Sequence, residues 1–241
     1  MADLPAYVGR FAPSPTGPLH FGSLIAAVAS YLDARRAGGR WLLRIEDIDP
    51  PREMHGATDA IQRTLEAHGL LWHGPVLMQS ERTEAYLAAL EALDQSGRLF
   101  PCICTRSVLG PGGSCGRRCS PVAGEAHSLR WRLGAPAPFT DFVLGPQQPV
   151  DDRQDMVLRR RDGLFAYTLA VVVDDAWQNI THVLRGQDLL GETPVQLDLL
   201  KALENPAPSY GHLPLLRNET GTKLSKQTGA PGLNNEEALD N

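Results

Sequence analysis

The 241-residue sequence has neither an excess of basic residues nor a long apolar run. Lys and Arg number 23 against 28 Asp and Glu, and the formal net charge of −5 excludes a protein that coats nucleic acid through bulk positive charge. No apolar run approaches the roughly 18 to 20 residues that span a bilayer. The first residues contain no basic stretch followed by an apolar one, so we predict no signal peptide and a cytoplasmic protein without a membrane partner.

Two common nucleotide-binding fingerprints, GxGxxG and GxxxxGK[ST], are also missing, so a nucleotide site here would be of another kind. The most informative segment is RFAPSPTGPLHFGS, from Arg10 to Ser23. It predicts a buried strand that enters a Pro-rich loop and then a helix from Gly22 to about Arg36. Helix N-termini favour phosphate, Gly22 would let a nucleotide approach the backbone, and His20 can donate to phosphate oxygens. The alternative is a turn that only redirects the chain.

The apolar pattern predicts an α/β fold. A strand at Arg40–Ile45 is followed by amphipathic helices at Arg52–His68 and Glu81–Leu93, which favours a parallel sheet with right-handed crossovers. We expect four parts along the chain: a first half of the α/β domain (1–100), a Gly-, Pro- and Cys-rich insertion (101–150), a second half (151–222), and a lysine loop with a short tail (223–241).

The second half contains a segment with two apolar runs joined at Arg161-Asp162-Gly163. This pattern predicts a β-hairpin over Val157–Asp175. Asp174 and Asp175 then follow a strand, and we interpret them as a structural feature of the strand end rather than as a general-acid pair.

All four cysteines lie within 18 residues, with the spacing Cys-x-Cys-x10-Cys-x3-Cys. In an extended segment Cys102 and Cys104 point to one face, with Cα atoms about 6.6 to 7 Å apart. Their sulfurs can converge on one tetrahedral ion, and Cys115 and Cys119 can complete it. We expect one structural zinc ion per chain, held by four thiolates. Free buried thiols or a lost metal site are the alternatives.

Near the C-terminus the sequence Lys223-Leu224-Ser225-Lys226 places a small hydroxyl between two lysines. Alone such a pair is usually a solvated face. Together with His20-x-Gly22 it resembles the two ATP motifs of class I aminoacyl-tRNA synthetases. Ser23 departs from the second histidine of the general class I motif, so only His20 and Gly22 match there.

Three segments make the resemblance specific: RFAPSPTG (Arg10 to Gly17), RIEDID (Arg44 to Asp49) and VLRGQD (Val183 to Asp188). They resemble the catalytic core of glutamyl- and glutaminyl-tRNA synthetases, from about residue 7 to 230. The resemblance implies a Rossmann-like parallel sheet with a zinc-bearing insertion. The implied glutamate-binding residues are Arg10, Ala12, Ser14, Glu46, Tyr167 and Arg185. The implied ATP-binding residues are His20, Gly22, Lys223, Ser225 and Lys226.

Among these residues we expect His20, Gly22 and Lys226 to be catalytic, with Mg²⁺ accompanying ATP. The residue chemistry fits glutamate, since two carboxylates and one ammonium need two cationic partners and one anionic partner. Arg10, Arg185 and Glu46 can supply them. The sequence does not assign either arginine to a particular carboxylate.

Further details resemble one branch of this family. The acidic loop continues as Ile48-Asp49-Pro50-Pro51-Arg52, the later motif continues as LLxxTPxQ (Leu189 to Gln196), and the sequence after Lys226 leaves no room for an anticodon-binding domain. The branch attaches glutamate to the queuosine base in the anticodon of tRNA(Asp). The alternatives are a truncated glutamyl-tRNA synthetase that charges the 3′ end of tRNA(Glu), and a non-catalytic relative that binds glutamate or RNA. We expect a monomer, and the sequence leaves open whether the tail is truncated.

Overall fold

The computed structural model describes residues 7–109, 115, 119–149, 155–215, 233, 235 and 238. Within these residues the strands are β1 Val8–Phe11, β2 Arg40–Ile45, β3 Leu77–Met78, β4 Leu99–Cys102, β5 Ser128–Trp131, β6 Phe139–Asp141, β7 Gly145–Gln147, β8 Met156–Arg159, β9 His182–Gly186 and β10 Ser209–Leu213. The α-helices are α1 Phe21–Arg36, α2 Ala57–Ala67, α3 Thr83–Asp94, α4 Arg106–Leu109, α5 Tyr167–Trp177 and α6 Thr193–Ala202. None of these helices is both long and apolar enough to cross a bilayer.

Five parallel strands form the centre of the fold. β2 pairs in parallel with β1 and β3, and β9 pairs in parallel with β10. The Thr181 amide, just before β9, donates to the Val8 carbonyl at 2.9 Å, which places β9 beside β1. The spatial order is therefore β3-β2-β1-β9-β10, and the direction of chain progression reverses between β1 and β9. The predicted parallel α/β arrangement is confirmed.

Apolar strands and small helix residues explain why this sheet is buried. In β2, Trp41, Leu43 and Ile45 have no solvent exposure, as expected for a parallel strand covered on both faces. Helix α1 presents Ala27 and Ser30 to it, and the Trp41 Nε1–H donates to Ser30 Oγ at 3.0 Å. The packing of these side chains holds α1 against β1, β2 and β9.

Two antiparallel sheets separate the halves of the parallel sheet along the chain. β4, β5 and β8 form one sheet, and β6 and β7 form a hairpin. The hairpin packs on β10: the Phe142 amide donates to the Tyr210 carbonyl at 2.9 Å. A Cβ atom at Gly211 would lie 2.4 Å from the Phe142 ring, so this close approach requires glycine.

The predicted hairpin over Val157–Asp175 is wrong in its second half. β8 forms, but residues Tyr167–Trp177 are helix α5. The helix is buried against both α3 and α6, so Leu169, Val171 and Val172 all lie in the core. Burial on several sides removes the amphipathic period, and the run of valines then reads as a strand. Asp174 and Asp175 accordingly lie in the last turn of a helix.

Candidate active site

A cleft of about 530 Å³ opens beyond the carboxyl ends of β1 and β9, where the strand order reverses. Open α/β sheets bind ligands at this position. Every sequence-predicted site residue that the structure describes, the cysteines apart, lines this one cleft: Arg10, Ala12, Ser14, His20, Gly22, Glu46, Tyr167 and Arg185. Lys223, Ser225 and Lys226 lie outside the described residues.

The loop after β1 is held by backbone hydrogen bonds from residues that follow β2, and it leads into α1. The Glu46 amide donates to the Pro13 carbonyl at 3.0 Å, and the Met54 amide donates to the Pro15 carbonyl at 2.9 Å. His20 is the N-cap residue of α1 and contacts Ser23 through its ring, with 3.1 Å between Nε2 and Oγ. The N-terminus of α1 therefore faces the cleft, and its macrodipole favours an anion there.

Arg10, on β1, is buried and its charge is balanced by Asp175 from α5. The Arg10 Nε and Nη2 atoms donate to the two carboxylate oxygens at 3.1 and 3.4 Å, and Arg44 donates to the same carboxylate at 2.7 Å. Burial acts to raise the pKa of Asp175, but Arg10 and Arg44 outweigh it, and the pKa is lowered. Asp175 thus stays ionised and positions Arg10 at the cleft wall.

Asp174 neighbours Asp175 in sequence but points to a different set of partners. It accepts hydrogen bonds from Gln79 Nε2 at 2.8 Å, Arg82 Nε at 3.1 Å and the Tyr86 hydroxyl at 2.7 Å. This buried network joins α5 to α3 and to the turn before it. The sequence interpretation of the pair as a strand-end feature is wrong, because both carboxylates anchor a buried helix.

Arg185, on β9, is as buried as Arg10 but has a different environment. Its five hydrogen bonds to described residues all go to neutral groups: the His212 ring, the Tyr167 hydroxyl, the Gln196 amide oxygen, the Leu189 carbonyl and the Thr193 hydroxyl. The shortest two, to Gln196 and Thr193, are both 2.9 Å. These five bonds orient the guanidinium through neutral groups, and Arg185 forms no ion pair within 4.0 Å with a carboxylate of the described residues.

Two acidic side chains line the cleft among the described residues, Glu46 and Asp188, and Glu46 lies near Ser14 and Tyr167. Burial raises the pKa of Glu46 to about 7, while Arg44, Arg10 and a hydrogen bond from Ser14 at 3.3 Å oppose that rise. Burial and the charge of Glu46 raise the pKa of Tyr167 to about 12, so its hydroxyl stays neutral. The described lining of the cleft includes the guanidinium groups of Arg10, Arg52 and Arg185, the carboxylates of Glu46 and Asp188, and the hydroxyls of Ser14, Thr16, Ser23 and Tyr167.

The four cysteines meet on the antiparallel sheet and not at the cleft. Their sulfur atoms all lie within 4.8 Å of one another, and Cys104, Cys115 and Cys119 are separated by 3.5 to 3.7 Å. Four thiolates at about 2.3 Å from a zinc ion would be about 3.8 Å apart. The cluster thus fits the size of a tetrahedral zinc site, and none of these cysteines lines the cleft.

Sequence reasoning missed three residues that hold the site together: Asp175, His212 and Asp141. The signal for Asp175 was an acidic residue after a buried apolar run, which a helical reading of that run would have placed near β1. His212 and Asp141 are 71 residues apart in the chain, and no motif or spacing joins them.

These features define a nucleotide- and amino-acid-binding α/β domain of the class I aminoacyl-tRNA synthetase type. The chain matches the family described as tRNA synthetases class I (E and Q), catalytic domain, over residues 7–110 and 118–238. It belongs to this family.

Several curated relatives within this family are about half identical to the chain and share one name. The chain is 53% identical over 236 residues to a protein of Yersinia pseudotuberculosis named glutamyl-Q tRNA(Asp) synthetase, a match that covers 95% of this chain and 71% of that protein. A protein of the same name from Thiobacillus denitrificans is 52% identical over 241 residues, covering 95% of this chain and 80% of that protein.

Among solved structures, the glutamate-tRNA synthetase of Elizabethkingia anophelis aligns with a TM-score of 0.83 at 29% identity. The alignment covers 93% of this chain and 53% of that one, so this chain spans about half the length of that synthetase.

Proposed function

We propose that this protein activates L-glutamate with ATP and transfers the glutamyl group to the queuosine base in the anticodon of tRNA(Asp). The observation that carries the activation step is the meeting, in one cleft, of a helix N-terminus with two buried arginines and a carboxylate. The helix N-terminus suits phosphate, and the two arginines with the carboxylate suit an amino acid that has two carboxylates.

Glutamate is the ligand whose charges complement this cleft. Arg185 offers a cation whose hydrogen bonds to described residues are all to neutral groups, Arg10 offers a second guanidinium held by Asp175, and Glu46 offers an anion for the ammonium group. An amino acid with an uncharged side chain has only its α-carboxylate, so it would leave one of the two guanidinium groups without an anionic partner in a buried site, which is costly. We propose that Ala12, Ser14 and Tyr167 shape and complete this pocket.

ATP occupies the α1 end of the cleft in this proposal. Gly22 lies under the adenosine, His20 contacts phosphate oxygens, and Lys223, Ser225 and Lys226 also bind ATP. Mg²⁺ accompanies ATP and screens the phosphate charge.

In the chemical step an oxygen of the glutamate α-carboxylate attacks the α-phosphorus in line. The new bond forms glutamyl-adenylate as the bond to pyrophosphate breaks. The protein contributes positioning and charge stabilisation, as in phosphoryl transfer generally.

The acceptor completes the reaction. A hydroxyl of the queuosine cyclopentene ring attacks the mixed anhydride, which gives a glutamyl ester and releases AMP. Support comes from the names of the curated relatives and from the IDPPR and TPxQ continuations of the motifs in this sequence.

The cysteine cluster serves as a structural zinc site in the same proposal. The four thiolates leave no open coordination position, so the ion would hold the insertion (101–150) in shape and take no part in the chemistry. This assignment keeps the division proposed for the chain: a split α/β domain (1–100 and 151–222), the insertion, and the lysine loop with its tail (223–241).

The experiment that tests activation is glutamate-dependent exchange of labelled pyrophosphate into ATP without tRNA, with aspartate and glutamine as control amino acids. We expect exchange with glutamate alone. Exchange that appears only after tRNA(Glu) is added would favour a glutamyl-tRNA synthetase. The absence of exchange under both conditions would contradict the proposed activation.

The acceptor needs a separate experiment. Labelled glutamate should become attached to tRNA(Asp) that contains queuosine and not to the same tRNA without it. Equal labelling of both tRNAs, or labelling of tRNA(Glu) at its 3′ end, would contradict the proposed acceptor.

A further inference from the structure

Behind Arg185, two fully buried side chains form a hydrogen-bonded chain that leads away from the cleft. The His212 Nδ1–H, on β10, donates to an Asp141 carboxylate oxygen at 2.5 Å, and His212 Nε2 accepts from Arg185 Nε at 3.1 Å. Asp141 lies at the end of β6, in the antiparallel hairpin. The chain thus runs from the insertion, through β10, to the guanidinium in the cleft.

The donors around the His212 ring fix its tautomer. Arg185 has only N–H donors, so the Nε2 that faces it must carry a lone pair. The Thr193 hydroxyl lies 3.2 Å from the same Nε2 and can donate to it, since Thr193 itself accepts from Arg185 Nη2 at 2.9 Å. The proton of the neutral ring therefore sits on Nδ1, where Asp141 accepts it.

Asp141 is held so that it can only accept. One of its oxygens accepts from the backbone amides of Val143, Leu144 and His212, at 2.9, 2.9 and 3.2 Å. The other oxygen is therefore left for the imidazole. Burial acts to raise the pKa of Asp141, but the bonds from His212 and these amides outweigh it and lower the pKa.

Burial is the main reason why the imidazole is neutral. Burial lowers the pKa of His212; the hydrogen bond to Asp141 opposes this shift, and Arg185 adds to it. Asp188, after β9, acts with Asp141 to raise the pKa, and the Tyr210 ring stacks with the imidazole 6.4 Å away on the same strand.

We propose that Asp141 and His212 are positioning residues for the amino-acid substrate: Asp141 fixes the Nδ1–H tautomer of His212, and His212 Nε2 then orients the Arg185 guanidinium toward the substrate carboxylate. The proposal rests on the proposed glutamate activation for its kinetic consequence. It also gives the β6–β7 hairpin a role at the cleft, although none of the residues of this hairpin lines it.

The first test reads the tautomer in the unmodified protein. Nitrogen-15 spectra of the histidine side chains, assigned by comparison with His212→Gln, should show an unprotonated Nε2 and a protonated Nδ1 for His212 at neutral pH. An Nε2–H tautomer, or a ring protonated on both nitrogens, would overturn the proposal. This measurement does not depend on the reaction that the protein catalyses.

The second test is a double-mutant cycle read by the KM for glutamate in pyrophosphate exchange. Asp141→Asn keeps an oxygen for the three backbone amides and turns an NH₂ group toward His212, which forces the opposite tautomer and sets Nε2–H against Arg185 Nε–H. We expect a rise of tenfold or more in KM, with less than a threefold change in kcat. Asp198→Asn, which removes a carboxylate that pairs with Arg98 and accepts from Trp131 away from the cleft, is the matched control.

His212→Gln supplies an amide oxygen near the position of Nε2 and has no tautomer to invert. In that background Asp141→Asn should change the KM by less than twofold. An equal rise in both backgrounds would assign Asp141 a purely structural role and overturn the proposal. Absence of exchange in the wild-type protein would instead contradict the proposed function. The tautomer measurement would still test the proposed roles of Asp141 and His212.

Discussion

Two buried arginines line the same cleft, yet their surroundings differ. Arg10 and Arg185 are 4% and 5% exposed. Arg10 forms a buried ion pair with Asp175, a carboxylate that it shares with Arg44. Arg185 forms five hydrogen bonds to described residues, none of them with a carboxylate. Asp175 forms an ion pair with Arg10 within the fold. Arg185 is held by neutral groups, and we expect its charge to meet a substrate carboxylate.

Because the partners of the two arginines differ, we expect changes at the two positions to affect different quantities: the free energy of unfolding for the Arg10 ion pair, and ligand affinity for Arg185. Removal of one partner from a buried ion pair leaves an uncompensated charge, which is strongly destabilising. A cation that is held by neutral dipoles gains most when an anion arrives, because a charge-assisted bond in a buried site is stronger than a neutral one. Asp175, the partner of Arg10, should therefore contribute mainly to folding, and Arg185 mainly to substrate binding.

Asp175→Asn should have the largest effect, on the free energy of unfolding. Two buried guanidinium groups would lose their shared anion, so we expect a loss of about 3 to 5 kcal/mol in urea denaturation. Asp49→Asn, which breaks partly exposed pairs with Arg52 and Arg160, should cost less than about 1 kcal/mol. Similar losses for the two variants would remove the distinction between the two arginines.

Arg185→Gln should mainly affect the reaction. Loss of one charge-assisted interaction with a carboxylate costs about 1.5 to 3 kcal/mol, so kcat/KM for glutamate in pyrophosphate exchange should fall about 100-fold. Its unfolding free energy should change less than that of Asp175→Asn. Arg36→Gln, on the exposed end of α1, is the control for loss of a positive charge and should keep kcat/KM within twofold.

Lower pH should weaken glutamate use through Glu46, whose pKa is raised to about 7. The carboxylate must be ionised to bind an ammonium group, so kcat/KM should fall about tenfold per pH unit below 7 and level off above it. Glu46→Gln should give a lower and flatter profile. An acidic limb that persists in Glu46→Gln and disappears in His212→Gln would assign the titration to His212 instead.

The raised pKa of Glu46 should have the opposite effect on stability, which should fall as the pH rises. The folded protein binds the Glu46 proton more tightly than the unfolded chain, so this stabilisation is present below the unfolded-state pKa and is lost as pH rises through about 7. Urea denaturation at pH 5.5 and pH 8 should show that Glu46→Gln loses less stability over this interval than wild type.

The cysteine cluster should give the smallest effect on activation. Cys104→Ser should abolish the binding of about one zinc ion per chain, as measured by metal analysis, because four thiolates are needed to close the site. Exchange should fall less than threefold, since the cluster does not line the cleft. A large loss of exchange would mean that the insertion supports both sides of the cleft.

The sequence predicted the parts of the site that lie in short contiguous motifs. Arg10, Glu46 and Arg185 stand in motifs at or near the ends of strands, and the resemblance of these motifs to the family implied that the three residues share one site. It did not predict the partners of the arginines. Asp175 was assigned to a strand because α5 is buried on several sides and its valines have no helical period. Asp141 and His212 meet only through the packing of a hairpin on β10, which no local pattern encodes.

The most direct test of the contrast between the two arginines is calorimetric binding of three ligands to wild type and Arg185→Gln. L-glutamate has both carboxylates, L-glutamine lacks the side-chain charge, and 4-aminobutyrate lacks the α-carboxylate. If the positive charge of Arg185 meets a substrate carboxylate, wild type should prefer glutamate to each analogue by about 100-fold. Arg185→Gln should then reduce one of these two preferences to less than fivefold. Two unchanged preferences in Arg185→Gln would contradict the account.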